Sequence, residues 1–238
     1  MEMSDAALYL EAARLLDGQD RLWPGLDGNR VNGTLGWHPI IATFLLTGGR
    51  KSEVLGLDVE DVSFDRGEIH FRPNAHRGLK TLTSHRTVPL WPQLEEIIRA
   101  YLIQREQEGG LNELLFPATR GPEGEHMLDN VKKSLDQIGA RAGFEAGALR
   151  ATAFRHSYAT ARLYTAEHGA PVSLWTVRGE MGHRSTGMIE KVYGHTITQR
   201  TRVWSDQKTA LPEVVEFRID DHKDAMEERL LALWGPSA

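Results

Sequence analysis

The chain has 238 residues, a formal charge of −5 and no cysteine. Its length is enough to bury a sizeable core, and its mixed composition is that of a globular protein rather than a disordered or fibrous one. Without cysteine there is no disulfide framework and no thiolate metal site, and the net acidity argues against a generic coat on nucleic acid.

Leu8, Ala12, Leu15 and Leu16 fall at helical spacing, which predicts an amphipathic helix over Ala6 to Leu16. Gly25 to Gly36, rich in Gly and Asn, reads as a loop. His38 to Leu46 is strongly apolar and predicts a buried helix ending near Gly48-Gly49, which places Arg50 at a helix junction. Lys51 to Leu57 reads as a short helix with Val54 and Leu55 inward. From Val62 to Leu90 the period changes. Ile69 and Phe71 alternate with His70 and Arg72, and Thr87-Val88-Pro89-Leu90 reads as another strand, with a turn around Gly78 between them. Helices are then predicted over Gln93 to Glu108, Leu128 to Ala142, Ala153 to Glu167, Val172 to Met181 and Gly187 to Val192. A last one carries Met226, Leu230, Leu233 and Trp234 on one face. The expected fold class is mainly α with a small antiparallel β-sheet, an α+β arrangement.

Charge is unevenly placed. From Arg72 to Arg86 the charged residues are Arg72, Arg77, Lys80 and Arg86, with no acid among them. Bases again outnumber acids between Arg141 and Arg202, whereas the tail after Trp204 is acidic, from Asp206 to Glu228. A basic surface beside an acidic tail disappears in the net figure. No stretch has the apolar length of a membrane span and the opening residues lack a signal-peptide layout, so a soluble, cytoplasmic protein is expected.

Four motifs stand in order: Thr47-Gly48-Gly49-Arg50-Lys51-Ser52-Glu53, Arg155-His156-Ser157-Tyr158-Ala159-Thr160, Met181-Gly182-His183 and Tyr193-Gly194-His195. Two arginines, a histidine and a tyrosine suit attack of a phenol oxygen on a phosphodiester. Guanidinium groups are planar, always charged and bond phosphate oxygens in pairs. A free phenol has a pKa of about 10, so its attack near neutrality needs cations that stabilise the phenolate. Glu53, three residues after Arg50, has the spacing to hold that guanidinium in place. Tyr158 lies on an apolar helical face and reads as core.

In this order the motifs resemble the active site of the tyrosine recombinase, or phage integrase, family, over about residues 4 to 200. The run at Arg155 is similar to the family's Arg-His-Thr-Phe-Ala-Thr. The resemblance implies a tyrosine recombinase catalytic-domain fold over residues 1–203, with 204–238 an acidic tail whose helix offers a surface for packing in trans. The family's amino-terminal core-binding domain is expected to be absent. The resemblance further implies that Tyr193 is the nucleophile, forming a 3′-phosphotyrosyl link, and that Arg50 and Arg155 bind the phosphate. His183 would bond the scissile phosphate and Lys80 would protonate the leaving 5′ oxygen, with Glu53 and His156 in support. Arg72, Arg77, Arg86 and Arg184 are expected to face DNA. Thr152 stands where the family usually has histidine or lysine; it can donate to phosphate but cannot shuttle a proton near neutrality.

The activity that the resemblance implies is that of a site-specific recombinase or integrase acting on double-stranded DNA as a homo-oligomer, a synaptic tetramer, at the nucleoid. No metal and no cofactor are expected, because the phosphate bond energy is kept in the covalent link. A type IB topoisomerase-like activity is an alternative, as is a catalytically lapsed DNA-binding regulator, which Thr152 motivates.

Overall fold

The computed structural model describes residues 3–17, 36–78, 85–108, 113–118, 126–128, 131–148, 150–167, 170–183, 185 and 187. Helix α1, Met3–Asp17, lies against α2, Trp37–Thr47, which is apolar on nearly every side and forms the centre of the core. The hydroxyls of Thr43 and Thr47 are satisfied inside α2, donating to Pro39 O at 2.8 Å and Thr43 O at 2.6 Å. Asp17, the last residue of α1, accepts the N–H groups of Trp37 (3.2 Å) and His38 (2.7 Å), so its carboxylate covers open donors at the start of α2.

The predicted helix at the chain's start is present with a different face inward. Leu8 and Leu15 are 56% and 47% exposed, while Tyr9, Leu10, Ala13 and Leu16 are buried. Two stripes of similar apolar content compete on this helix. Tyr9 decides between them, because burying it brings its ring to 5.2 Å from that of Phe154 and its hydroxyl to the carbonyl of Leu135.

Next come the short α3, Lys51–Leu55, and a 3-10 turn at Val59–Asp61. They lead into a three-stranded antiparallel sheet of β1 (Val62–Ser63), β2 (Glu68–Phe71) and β3 (Arg86–Pro89) in that order. Ile69 pairs with Val62 on one side and Val88 on the other, so the alternation seen in sequence puts Ile69, Phe71 and Val88 on the core face. Helix α4, Pro92–Glu108, packs on α2 through Leu94, Ile98 and Tyr101, among others.

Two further hairpins, β4–β5 (Pro117–Ala118 with His126–Met127) and β6–β7 (Ala166–Glu167 with Ala170–Pro171), stand where the sequence pattern predicts a helix end or no element. The neighbouring helices are shorter than their periodicity predicts: α5 spans Lys132–Arg141 and α6 spans Ala151–Tyr164. Helix α7, Leu174–Met181, starts at Ser173, whose Oγ accepts the Thr176 N–H at 3.1 Å. Residues Tyr158, Ala159, Leu163, Val172, Val177 and Met181 form a smaller cluster between α6 and α7. No helix among the described residues is long and apolar enough to cross a membrane. The predicted loop at 25–35, nearly all of the helix at 187–192 and the tail helix lie outside the described residues.

Candidate active site

Two glycines build the corner between α2 and α3. Gly48 has left-handed backbone, φ 60°, and closes α2 by donating to Phe44 O at 3.2 Å. A Cβ there would lie 2.5 Å from Cδ1 of Tyr158, and one on Gly49 would lie 2.5 Å from Cγ2 of Val54. The corner can therefore lie against α6 and the sheet only without side chains.

Arg50 follows at the start of α3. Its N–H donates to Glu53 Oε2 at 2.8 Å and its Nη1 to Glu53 Oε1 at 2.6 Å. Glu53 is buried and also accepts from Arg86 Nη2 at 2.9 Å. Burial pushes this carboxyl up, but the bond and charge of Arg86, with the N–H and charge of Arg50, outweigh it and hold the group at about 2. Glu53 is thus an anion that fixes two cations.

Arg155 projects from α6 and is buried. Its Nη1 donates to Gly48 O at 2.6 Å, and its Nη2 donates to Met181 O and lies 2.8 Å from His183 Nε2. The end of α7 explains this convergence. Gly182, left-handed at φ 60°, donates to Gly179 O at 2.9 Å, and His183 N donates to Arg178 O at 3.1 Å. The next three carbonyls each receive a guanidinium: Glu180 O from Arg86 Nε at 2.6 Å, Met181 O from Arg155, and Gly182 O from Arg50 Nη2 at 3.4 Å. A helix C-terminus carries open carbonyls and partial negative charge, so cations are favoured there.

His183 sits just beyond this turn. Burial and the charges of Arg155, Arg50 and Arg86 lower its pKa to about 4, so the ring is neutral at physiological pH. With Nε2 accepting from Arg155 the proton belongs on Nδ1, which has no hydrogen-bond partner among the described residues. Arg50, Glu53, Arg155 and His183 are therefore brought together from four elements or junctions.

The remaining expectations divide. Thr152 is exposed on the first turn of α6, one turn before Arg155. His156 is exposed, its pKa lowered by partial burial and by Arg155. Lys80, Arg184 and Tyr193 lie outside the described residues. Arg77 and Arg86, expected to face DNA, are buried struts. Arg77 donates to Glu53 O, to Arg72 O at 3.0 Å and to Asp61 Oδ2 at 3.1 Å, while Arg86 lies 4.3 Å over the Phe71 ring and ties Glu53 to α7. Arg72 keeps partial exposure but bonds Asp61 Oδ1 and Glu60 Oε1, both at 2.6 Å. The physical reason is Asp61 and Glu53, buried carboxylates that need cations beside them. Sequence reasoning missed Glu180 and Arg162, a buried pair behind the site. Spacing held a clue, since Arg155, Tyr158 and Arg162 share one face of α6. Among the described residues no group of three His, Cys, Asp or Glu side chains could hold a metal ion.

A family model described as the phage integrase family matches residues 38–200. The match covers more than half of the chain, and the chain belongs to this family. Among solved structures the fold is similar to a crystal structure of XerA recombinase, with a TM-score of 0.59 and 18% identity, covering 100% of this chain and 64% of that one. It is also similar to a XerH site-specific recombinase bound to palindromic difH substrate in a post-cleavage complex: TM-score 0.57, 24% identity, 86% of this chain and 52% of that one. A Tn1549 transposon integrase in complex with transposon right end DNA matches with a TM-score of 0.52 and 20% identity, over 73% of this chain and 59% of that one. The chain thus spans between about half and two thirds of the length of these relatives. The fold they share is that of tyrosine recombinases. No curated protein matches the chain.

Proposed function

We propose that this chain supplies the catalytic domain of a site-specific DNA recombinase or integrase that cuts and rejoins strands through a 3′-phosphotyrosyl intermediate. The observation that carries the reading is the convergence of Arg50, Arg155 and neutral His183 on the last turn of α7. Two preset guanidinium groups match the charge that develops on the nonbridging oxygens, and their placement by buried carbonyls and Glu53 precedes any contact with substrate.

In this reading the Tyr193 phenol gives up its proton to solvent and its oxygen attacks phosphorus, the bond from phosphorus to the 5′ oxygen breaks, and Lys80 protonates the departing oxygen. The 5′ hydroxyl of a second strand reverses the steps and releases the phenol. One phosphoester replaces another at each stage, so the chemistry consumes neither a nucleotide nor a metal-activated water. Thr152 contributes a neutral hydrogen bond where a histidine or lysine would offer a charge. The partner is double-stranded DNA at the nucleoid, and the assembly is a homo-oligomer on DNA, a synaptic tetramer. Residues 1–203 form the catalytic domain, and the acidic tail, 204–238, packs on a neighbouring protomer. Solved relatives bound to difH substrate and to transposon DNA support duplex DNA as the partner.

The test is incubation with a nicked suicide duplex, which traps the covalent adduct because the cleaved strand is lost. The wild-type chain is expected to form an adduct and Tyr193→Phe none. An adduct that persists in Tyr193→Phe, or a wild-type chain that forms none on any duplex of the family's site architecture, removes the proposal.

A further inference from the structure

The carboxylate of Glu180 is buried at the base of α7 and takes no part in the chemistry just described. Arg162 grips it in two places, Nε to Oε2 at 2.9 Å and Nη2 to Oε1 at 2.7 Å. The Tyr158 hydroxyl donates to Oε2 at 2.9 Å, and burial together with the Glu180 charge raises this phenol well above its ordinary pKa, so it remains a donor. Arg162 is itself held, donating to Thr165 Oγ1 at 3.0 Å and lying 4.9 Å over the Trp91 ring. All three directed bonds to the carboxylate come from one face of α6, from residues one turn apart. Arg155 lies on that same face, one turn earlier.

The backbone of Glu180 serves a different set of partners. Its carbonyl receives Arg86, the next receives Arg155 and the one after receives Arg50, before the chain reaches His183. The side chain of one residue therefore locks α7 to α6 while its main chain begins the row of acceptors on which the site's cations rest. Apolar contacts could hold two helices together, but they are not directional. A bidentate pair with a third bond sets both the height and the rotation of the turn. As a source of stability alone a buried ion pair is a poor choice, since replacing both members by apolar residues is often neutral or favourable.

We propose that the buried Arg162–Glu180 pair is a positioning device for the candidate site, fixing the last turn of α7 so that Arg155 and His183 meet the scissile phosphate in register. Neither residue touches the reacting atoms. The consequence for cleavage rests on the recombinase reading; the consequence for the geometry of His183 does not.

The double variant Arg162→Met/Glu180→Leu removes both charges together, a change that is about neutral by itself, and leaves the Tyr158 hydroxyl without its acceptor, so Tm is expected to fall only modestly. Its single-turnover rate of adduct formation at saturating DNA falls about 10- to 100-fold, with DNA affinity unchanged. The second readout is the His183 ring, followed by NMR against pH. In the wild type it stays neutral down to about 4, first because it is partly buried and then because of the charges of Arg155, Arg50, Arg86 and His156. In the double variant its midpoint rises toward the ordinary value of about 6.5 as Arg155 loses its aim. Either readout at its wild-type value in a folded double variant overturns the proposal. If the wild type forms no adduct, the recombinase reading fails and the titration of His183 alone decides the positioning. Should the double variant not fold, Tyr158→Phe carries the same two measurements, because it removes one of the three bonds to the Glu180 carboxylate without leaving a charge unpaired.

Discussion

Two regions of the molecule collect arginines around buried carboxylates, and only one of them is built like a phosphate site. Around Asp61, the cations Arg72 and Arg77 face Asp58, Glu60 and Asp61, so acids match or exceed bases among the described residues. At the end of α7, Arg50 and Arg86 share the buried carboxylate Glu53, and these two and Arg155 also donate to main-chain carbonyls, which carry no net charge. The first arrangement is closed electrostatically. The second gathers three guanidinium groups on one helix end, with the Arg50 side chain 32% exposed, which is the arrangement an incoming phosphate would meet.

The contrast is broken most severely at Arg155. Arg155→Ala is expected to lower adduct formation by about 10²- to 10³-fold, the loss typical of one preset donor to an oxyanion. A suicide-substrate time course at saturating DNA measures it, and a loss below tenfold would show that this cation is not at the reacting phosphate.

A matched pair of variants sharpens the comparison. Glu53→Gln and Asp61→Asn each leave buried arginines short of a counter-charge and should each cost about 3–5 kcal/mol in denaturant unfolding. Only Glu53→Gln is expected to slow cleavage per folded molecule as well. Equal cleavage by both variants would erase the distinction between the two regions.

A smaller effect is expected at Thr152. Thr152→Ala removes one neutral hydrogen bond of about 0.5–1.5 kcal/mol, so adduct formation should drop only by about 3- to 10-fold. A larger drop would assign the threonine a role beyond donation. At His183 the effect is on stability against pH. His183 takes up its proton near 4 when folded and near 6.5 when unfolded, so across that window the unfolded chain binds more protons. Stability therefore falls as pH drops from about 6.5 toward 4, and His183→Gln should flatten that part of the slope in urea midpoints recorded between these limits.

Much of the frame is legible in sequence because it depends on local periodicity and punctuation. The apolar run before Gly48 forms α2, the alternation at Ile69 and Phe71 forms a strand, and Gly48-Gly49 makes the corner that delivers Arg50. The motifs at Arg50, Arg155 and His183 also mark segments that meet. The illegible part is mostly long-range or very short. Hairpins with two residues per strand have no period to detect, and α1 offers two stripes whose ranking depends on Tyr9 reaching Leu135. The basic run from Arg72 to Arg86 reads as a DNA-facing surface because sequence order does not display counter-charges. The partners of Arg77 and Arg86 lie as far away in the chain as Glu53 and Glu180. The Arg162–Glu180 pair escapes for the same reason.

The row of carbonyls closing α7 has a consequence for how the site is set. Without that turn in place, the guanidinium groups of Arg50, Arg86 and Arg155 each lose one carbonyl acceptor. Docking supplies these three acceptors together, so the guanidinium groups are aligned as a set by the position of one turn.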